Sequence, residues 1–373
     1  MTHRLDTAFA ELALRNGGDG EALAIFQRVL AAAPPADPAT VRRARCGQAW
    51  ALEKLGRLEE AIGQYRELLA DPQTEVGSAE WALLAVALCR SYRDVGDQAM
   101  SVDFGERALR ELARSGAAPI DEHLQLGSTL MGCYVVRGDL TSAKLLADQL
   151  MPLARATGSR VALGAVEWNS SLIAREQGRH DEALELAERA LALMAEADNT
   201  RHQGMLRGNL ALVLVARGEL APAVPLLTAA FEILRESARL CEVIDVVALL
   251  GEVLVQLGDP EGALEWAGRA RGLLTGASEE LWRERAAIAL VFGRAWLLLG
   301  EGEPGEAELR CCADLLRRAE EDRSVAVLWR RLGDSWAERE QNEEAMTAYQ
   351  TALTLLGLPA ATRLVPGRRR ALS

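Results

Sequence analysis

The sequence lacks any apolar run close to the ~20 residues that a membrane-spanning helix needs. Its start also lacks the uninterrupted apolar segment of a signal peptide, because Asp6 and Glu11 fall inside the apolar pattern of residues 1–14. We therefore expect a soluble, cytoplasmic protein that makes no contact with a membrane.

Cysteine and histidine are also scarce. The six cysteines form no CxxC pair, and none has a histidine at metal-ligand spacing. We expect them to be small, buried helix residues in a reducing compartment. The four histidines belong to no recognisable catalytic motif, and the glycines are not grouped into a phosphate-binding loop. The sequence thus predicts no metal, no cofactor and no enzymatic activity.

Lysine is nearly absent, since Lys54 and Lys144 are the two lysines among 42 basic residues. The 54 acidic residues give a net charge of −12, which disfavours unaided binding to nucleic acid or to an anionic membrane. Aromatic residues make up 5% of the chain and apolar residues 49%. This composition is typical of many modest helices that pack through small side chains.

A glycine followed five residues later by alanine recurs along the whole chain, once with glutamate for glycine and once with serine for alanine. Successive turns lie 38 to 44 residues apart, which is typical of a solenoid of stacked helical hairpins. The glycine allows a left-handed turn between two helices, and the alanine lets them pack closely. The nine pairs are Gly17/Ala22, Gly56/Ala61, Gly96/Ser101, Gly138/Ala143, Gly178/Ala183, Gly218/Ala223, Gly258/Ala263, Gly302/Ala307 and Glu340/Ala345.

The repeat leaves no boundary at which the chain divides into separate domains. We expect one array over residues 1–357, with hairpins at approximately 1–35, 36–73, 74–117, 118–157, 158–197, 198–237, 238–277, 278–320 and 321–357. Residues 358–373, which include Arg363 and Arg368 to Arg370, form a basic segment beyond the last hairpin. We expect this tail to be disordered.

The ninth hairpin has the fullest sequence signature. Its first helix carries Trp329, Leu332, Gly333 and Trp336, and its second carries Ala345, Tyr349 and Ala352. This pattern resembles the tetratricopeptide repeat, here in a long variety of about 40 residues. The resemblance implies an all-α, right-handed solenoid superhelix of about nine such hairpins, with the first helix of each hairpin on the concave face.

Three segments resemble the tetratricopeptide portion of actinobacterial transcription regulators that carry a helix-turn-helix domain: residues 168–174, 178–184 and 207–211. That resemblance implies a cytoplasmic sensor or adaptor in transcriptional regulation. The repeat pattern begins by about Leu5, so we expect no DNA-reading module within this chain and no direct binding to nucleic acid. A DNA-binding partner or fused domain is then a possible associate.

Counting back nine residues from two successive turns reaches Asn169 and Asn209, at equivalent concave positions. A carboxamide offers both a donor and an acceptor, so these side chains could bracket the main-chain amide of an extended peptide. Alternatively, each caps or crosslinks neighbouring helices. Both interpretations stay open at this point.

Arginines recur at concave positions as well, and a row of them could bind carboxylates of acidic side chains or of a C-terminus. The alternative is that they lie on solvated helix faces and pair with local acidic residues. Trp50 and Trp168 are candidates for flat anchors in the groove, although packing between hairpins is the alternative for tryptophans here. The arginines are Arg43, Arg90, Arg93, Arg175, Arg294 and Arg331.

These patterns predict a non-enzymatic interaction module that binds a peptide or protein segment in its concave groove. The alternative is a constitutive scaffold for protein assembly, or a homodimer, that uses convex or terminal surfaces.

Overall fold

The computed structural model describes residues 2–32, 36–115, 120–197, 200–236, 239–318 and 325–358. Within these ranges the chain forms 18 helices and no strand. Apart from Leu358, the predicted basic tail lies outside the described residues. The helices are α1 Thr2–Arg15, α2 Asp19–Leu30, α3 Pro38–Lys54, α4 Leu58–Ala70, α5 Ala79–Asp94, α6 Gln98–Ser115, α7 Ile120–Arg137, α8 Leu140–Thr157, α9 Arg160–Glu176, α10 His180–Glu196, α11 Thr200–Ala216, α12 Leu220–Leu234, α13 Leu240–Leu257, α14 Pro260–Leu273, α15 Trp282–Leu298, α16 Gly302–Leu316, α17 Ala326–Glu338 and α18 Asn342–Leu355.

Each odd-numbered helix packs against the even-numbered helix that follows it, and the resulting pairs stack in chain order. Neighbouring odd-numbered helices, such as α5 and α7 or α13 and α15, also pack directly on one another. We call these the inner helices, because the row that packs more closely lies on the concave side. The apolar core runs along the solenoid between the two rows. The predicted right-handed, all-α solenoid is confirmed.

The turn within each hairpin has the predicted local geometry. The turn glycines from Gly17 to Gly258 have a positive φ, and so does Glu340, the one described residue other than glycine with a positive φ. At the second turn, Arg57 N donates to Leu52 O at 2.9 Å, the six-residue bond of a Schellman motif. Ala61, five residues after Gly56, is fully buried where the two helices meet.

The eighth pair predicted from the sequence, Gly302/Ala307, is wrong. Gly300 is the residue in the left-handed conformation, with φ 83°, and Gly302 is the first residue of α16. The buried residue five positions after Gly300 is Gly305, where a Cβ atom would lie 2.7 Å from Cδ2 of Leu297. The correction makes the repeat more regular, because this turn now lies 42 residues after Gly258 and 40 before Glu340.

This corrected turn can be tested with two neighbouring alanine substitutions. We expect Gly300→Ala to lower the free energy of unfolding by about 1–2 kcal/mol, because a side chain strains the left-handed conformation. Gly302→Ala is the matched control and should cost nothing, because it lies in a helix with room for a methyl group. Urea denaturation of both variants measures the difference. Equal effects would place the turn elsewhere.

The solenoid coils far enough for its first third to touch hairpins that lie much later in the chain. We call this the coil contact: the turns after α1, α3 and α5 lie against the segments that precede α13 and α15. A Cβ atom on Gly56 would lie 2.7 Å from Cδ2 of Leu281, so the two backbones approach closely there. Nearby, the Glu59 amide at the start of α4 donates to Oε2 of Glu280 at 3.0 Å. The first third of the chain therefore packs against the segment that precedes α15.

A buried ion cluster around Arg239 lies at the centre of the coil contact. The Arg239 side chain is only 5% exposed, and it contacts Asp94 and Glu53 from the first third of the chain. On its own side, Arg239 Nη2 lies 2.7 Å from Oε1 of Glu242. Burial opposes the ionisation of Asp94, but Arg239 and Arg93 outweigh it and hold the pKa of Asp94 well below its usual range.

Removing this arginine should be strongly destabilising. We expect Arg239→Met to reduce the free energy of unfolding by about 3–5 kcal/mol, because several carboxylates would stay buried without their partner. Arg235→Met is the control, since Arg235 lies close in the chain but pairs with Glu232 at the surface. Chemical denaturation gives the energies, and small-angle X-ray scattering should show a larger radius for Arg239→Met alone. An unchanged radius and stability would mean that the cluster does not hold the coils together.

None of the described helices is long and apolar enough to cross a membrane. The cysteines differ from the expectation that all are buried. Cys311 is exposed and Cys46 half-buried, whereas the other four are buried. Cys311 and Cys312 point in different directions because adjacent residues of a helix lie about 100° apart around its axis.

Candidate functional site in the concave groove

Two adjoining cavities lie on the concave surface between the inner helices α9 to α17. The first, which we call the apolar cavity, has a volume of about 510 Å³. The second, the polar cavity, has a volume of about 830 Å³. Leu212, Glu252 and Arg331 line both, so they mark the junction. The apolar cavity has a wall of aliphatic side chains: Leu172, Met205, Leu212, Val246, Leu249, Leu290, Val291, Val327 and Leu328.

Helix α13 contributes one continuous stripe to the apolar cavity. Its lining residues begin at Glu242 and Asp245 and continue through Val246 and Leu249 to Glu252. Their spacing of three or four residues puts them on one face of the helix. The rest of α13 is almost entirely apolar and buried against the neighbouring hairpins. Acidic side chains therefore enter the cavity from a helix whose other faces are fixed by packing.

Asp245 is the acidic group of this stripe that has no partner. No hydrogen bond or ion pair joins it to another residue in the part of the chain that the structure describes, although Arg283 lies near enough to attract it. The Asp245 side chain is exposed to solvent within the concave groove. Desolvation by the protein around it raises its pKa to about 7, and the carboxylates of Glu284, Asp94 and Glu242 act in the same direction, against Arg283. Carboxyl groups whose pKa is shifted this strongly are common at binding sites.

This raised pKa predicts a specific dependence of stability on pH. Because the folded state favours protonated Asp245, its contribution to stability is fully present below about pH 3.8 and is lost as pH rises through about 7. Asp245→Asn imitates the protonated form. We therefore expect the variant to melt at a higher temperature than the wild type at pH 8, with a difference that shrinks towards pH 4.

The control for this experiment is Asp103→Asn, at an exposed position on α6 that pairs with Arg107. It should show no such pH-dependent gain in thermal melts over the same range. A pH-independent difference for Asp245→Asn would contradict the raised pKa.

Five of the residues predicted from the sequence line these cavities. Trp168 and Asn209 lie in the apolar cavity, Arg175 and Arg294 in the polar cavity, and Arg331 at the junction. The ring of Trp168 packs edge-on against His202, with 5.9 Å between the ring centroids. Trp168 therefore contributes both to packing between α9 and α11 and to the cavity wall.

The two asparagines make internal hydrogen bonds. Asn209 is buried, and its Nδ2 donates to Oγ of Ser171 at 2.7 Å, while its Oδ1 accepts from Nη1 of Arg175 at 3.4 Å. These bonds link α11 to α9, as expected for a crosslinking role. Asn169 donates to the carbonyl oxygen of Ala165 in its own helix at 2.9 Å and is not among the lining residues.

The remaining predicted residues lie outside both cavities. Arg43 pairs with Glu11 at 2.6 Å, Arg90 with buried Glu53 at 2.7 Å, and Arg93 with Asp94 at 2.9 Å. The Trp50 ring is 43% exposed, and Lys54 Nζ lies 6.0 Å from its centroid. These four residues belong to the first third of the solenoid.

Sequence reasoning missed Asp245, Arg283 and most of the aliphatic wall. One signal was present, because Glu242, Asp245 and Glu252 are acidic residues in a helix that is otherwise almost wholly apolar. Among the residues that the structure describes, no group of three or more His, Cys, Asp or Glu side chains could hold a metal ion.

Comparisons with known proteins identify the type of repeat that forms this groove. Two family models, both described as tetratricopeptide repeat, match residues 163–236 and 246–269. No curated protein is similar enough to count as a relative. The chain is a solenoid of tetratricopeptide-like repeats, and the matched segments are those that build most of the apolar cavity.

Several solved structures share the fold over almost the whole chain. A Rap protein complexed with Competence and Sporulation Factor is 14% identical, with a TM-score of 0.65 over 95% of this chain and 98% of that one. Aspartyl phosphate phosphatase F from Bacillus subtilis is 13% identical, with a TM-score of 0.57 over 96% and 94%. The apo form of RapI is 12% identical, with a TM-score of 0.54 over 96% and 98%. At these identities the likeness concerns the fold.

Proposed function

We propose that this chain is a non-enzymatic interaction module that binds a peptide or protein segment in the two cavities of its concave groove. The observation that carries this proposal is the apolar cavity itself. Cavities of ~300–1,000 Å³ with mostly apolar walls and a few inward polar groups are the usual form of a ligand site. When a partner covers the aliphatic side chains that face solvent there, their removal from water stabilises the complex.

The polar cavity explains why we prefer an extended segment to a compact small molecule. It continues from the apolar cavity through Leu212 and Arg331 and presents alternating charges from Arg175, Glu176, Arg330 and Asp334. A segment with one apolar portion and one polar portion could occupy both cavities in a single direction. The similar fold of a Rap protein that was solved in complex with Competence and Sporulation Factor supports a partner bound by such a solenoid.

The wider role is part of the same proposal. The resemblance of residues 168–174, 178–184 and 207–211 to the regulatory portion of actinobacterial transcription regulators supports a cytoplasmic sensor or adaptor. In that role, a single array over residues 1–357 would transmit ligand binding to a DNA-binding partner or fused domain.

A constitutive scaffold is the second candidate, and one observation favours it. Leu5, Phe9 and Leu12 are large, exposed apolar residues on α1. Their spacing of four and three residues puts them on one side of the helix. Such a stripe could contact a second copy of the chain or another protein.

A matched pair of charge insertions tests the groove. Leu212 lines both cavities, whereas Leu298 is an exposed leucine on α15 away from them. We expect Leu212→Glu to reduce retention of peptides from a random hexapeptide library by about tenfold or more, because a carboxylate would then lie on the apolar wall. Leu298→Glu should retain them as the wild type does. Native mass spectrometry after gel filtration measures the bound peptides.

Equal retention by Leu212→Glu and the wild type would contradict binding in the groove. If Phe9→Glu alone abolished binding or self-association, the scaffold would be the better explanation. If the wild type retained no peptide, the proposal would be wrong for segments of this length.

A further inference from the structure

The concave arginines do not all have partners. Within the described ranges, each of the other five predicted arginines forms an ion pair with an acidic residue. Arg294, for example, contacts Glu252, and Arg175 lies 2.7 Å from Glu176. No hydrogen bond or ion pair joins the Arg331 guanidinium to any residue in the described part of the chain. Its environment therefore differs from that of the rest of the row.

The carboxylates nearest to Arg331 are already engaged. Oε1 of Glu252 contacts Arg294 and also accepts from Nε2 of Gln256 at 2.9 Å, whereas its buried Oε2 accepts no hydrogen bond from the described residues. Asp334 lies 3.0 Å from Arg330 and accepts from the Tyr349 hydroxyl at 2.9 Å. Glu338 lines the outer part of the polar cavity and is exposed. The junction of the two cavities thus carries a guanidinium that Glu252 and Asp334 attract, but that forms no hydrogen bond or ion pair within the described residues.

Arg331 is also partly desolvated. Burial lowers the pKa of its guanidinium, even though Glu252 acts in the opposite direction. Removing a cation from water without a partner costs free energy, so a site of this kind is favourable for an incoming anion. The planar guanidinium offers paired donors that match the two oxygens of a carboxylate.

The surroundings of Arg331 indicate which chemical group of a ligand should lie next to its carboxylate. Leu212 and Val327, both exposed in the cavity, and Leu328 form the wall next to the junction on the apolar side. An aliphatic or aromatic group attached close to the carboxylate would cover this wall. A free carboxylate at the end of a peptide with an apolar last residue has this arrangement, and so does an acidic side chain next to an apolar residue.

We propose that Arg331 anchors the carboxylate of a ligand whose neighbouring apolar group occupies the apolar cavity. This inference rests on the proposed function and adds the chemistry of the partner. It assigns to Arg331 a direct contact with the ligand, and it leaves the other arginines of the row to hold the solenoid together.

Three hexapeptide pools distinguish the two sources of the carboxylate. All have degenerate Leu, Val, Phe, Ala and Ser positions. The first pool ends in a free acid, the second in an amide, and the third in an amide with Glu at the fifth position. We expect the wild type to retain at least one carboxylate-bearing pool about tenfold more than the amide pool. Preference for the first pool identifies a C-terminus, and preference for the third identifies an acidic side chain.

Variants at position 331 then test whether Arg331 is responsible for the preference for carboxylate-bearing peptides. Arg331→Met should retain the amide pool as the wild type does but lose the preference for a carboxylate. Arg331→Lys keeps the charge and should restore part of it. The control is Arg317→Met at the residue that follows α16, where Arg317 is exposed and pairs with Asp314 outside the groove. Because Arg331 lacks a partner, Arg331→Met should fold and melt no lower than the wild type.

The outcomes separate this inference from the proposed function. If the wild type retained the amide pool as well as the others, and Leu212→Glu abolished this retention, the groove would bind peptides without an anchor at Arg331. If Arg331→Met kept the preference for a carboxylate, another residue would be the anchor. If the wild type retained none of the pools, both the proposed function and this inference would be overturned.

Discussion

The ion cluster around Arg239 is the interaction on which the concave site depends. In a solenoid each hairpin normally touches only its neighbours, so its curvature is set by many small contacts and is easily changed. Here Arg239 joins Glu242 on α13 to Asp94 and Glu53 of the first third. Buried charges of this kind are tolerated only when all partners are in place. The cluster therefore connects the first third of the chain to α13, the helix whose acidic stripe lines the apolar cavity.

The local part of this fold is readable in the sequence, whereas the coil contact is not. A turn that needs a positive φ selects glycine, so the glycine repeat gives the number and spacing of the hairpins. The sequence does not distinguish Gly300 from Gly302 as the turn residue, because both fit the spacing and only the backbone conformation separates them. Arg239 and Asp94 are 145 residues apart, and an arginine before an inner helix gives no signal of which distant carboxylate it meets.

The candidate site, like the fold, could be predicted from the sequence in its local features but not in its long-range contacts. Counting back from each turn identifies the concave face, and Trp168, Arg175, Asn209, Arg294 and Arg331 do line the cavities. The count does not show where along the solenoid the groove deepens into a cavity, so it predicts Arg43, Arg90 and Arg93 as groove residues although they line neither cavity. Their ion pairs with acidic residues of the first third could be found only when the helices were placed in space.

The cavity and the coil contact are parts of one electrostatic system. Arg283 lines the apolar cavity and attracts both Asp245, within it, and Asp94, in the cluster. Glu242 has a similar double position, because it lines the cavity while Arg201 and Arg239 hold it ionised against its burial. A charge introduced beside Asp245 would therefore change the field felt by Asp94 across the coil contact. Isolated hairpins from the C-terminal half would lack the Asp94 side of this system, so the charge environment of the site requires the whole array.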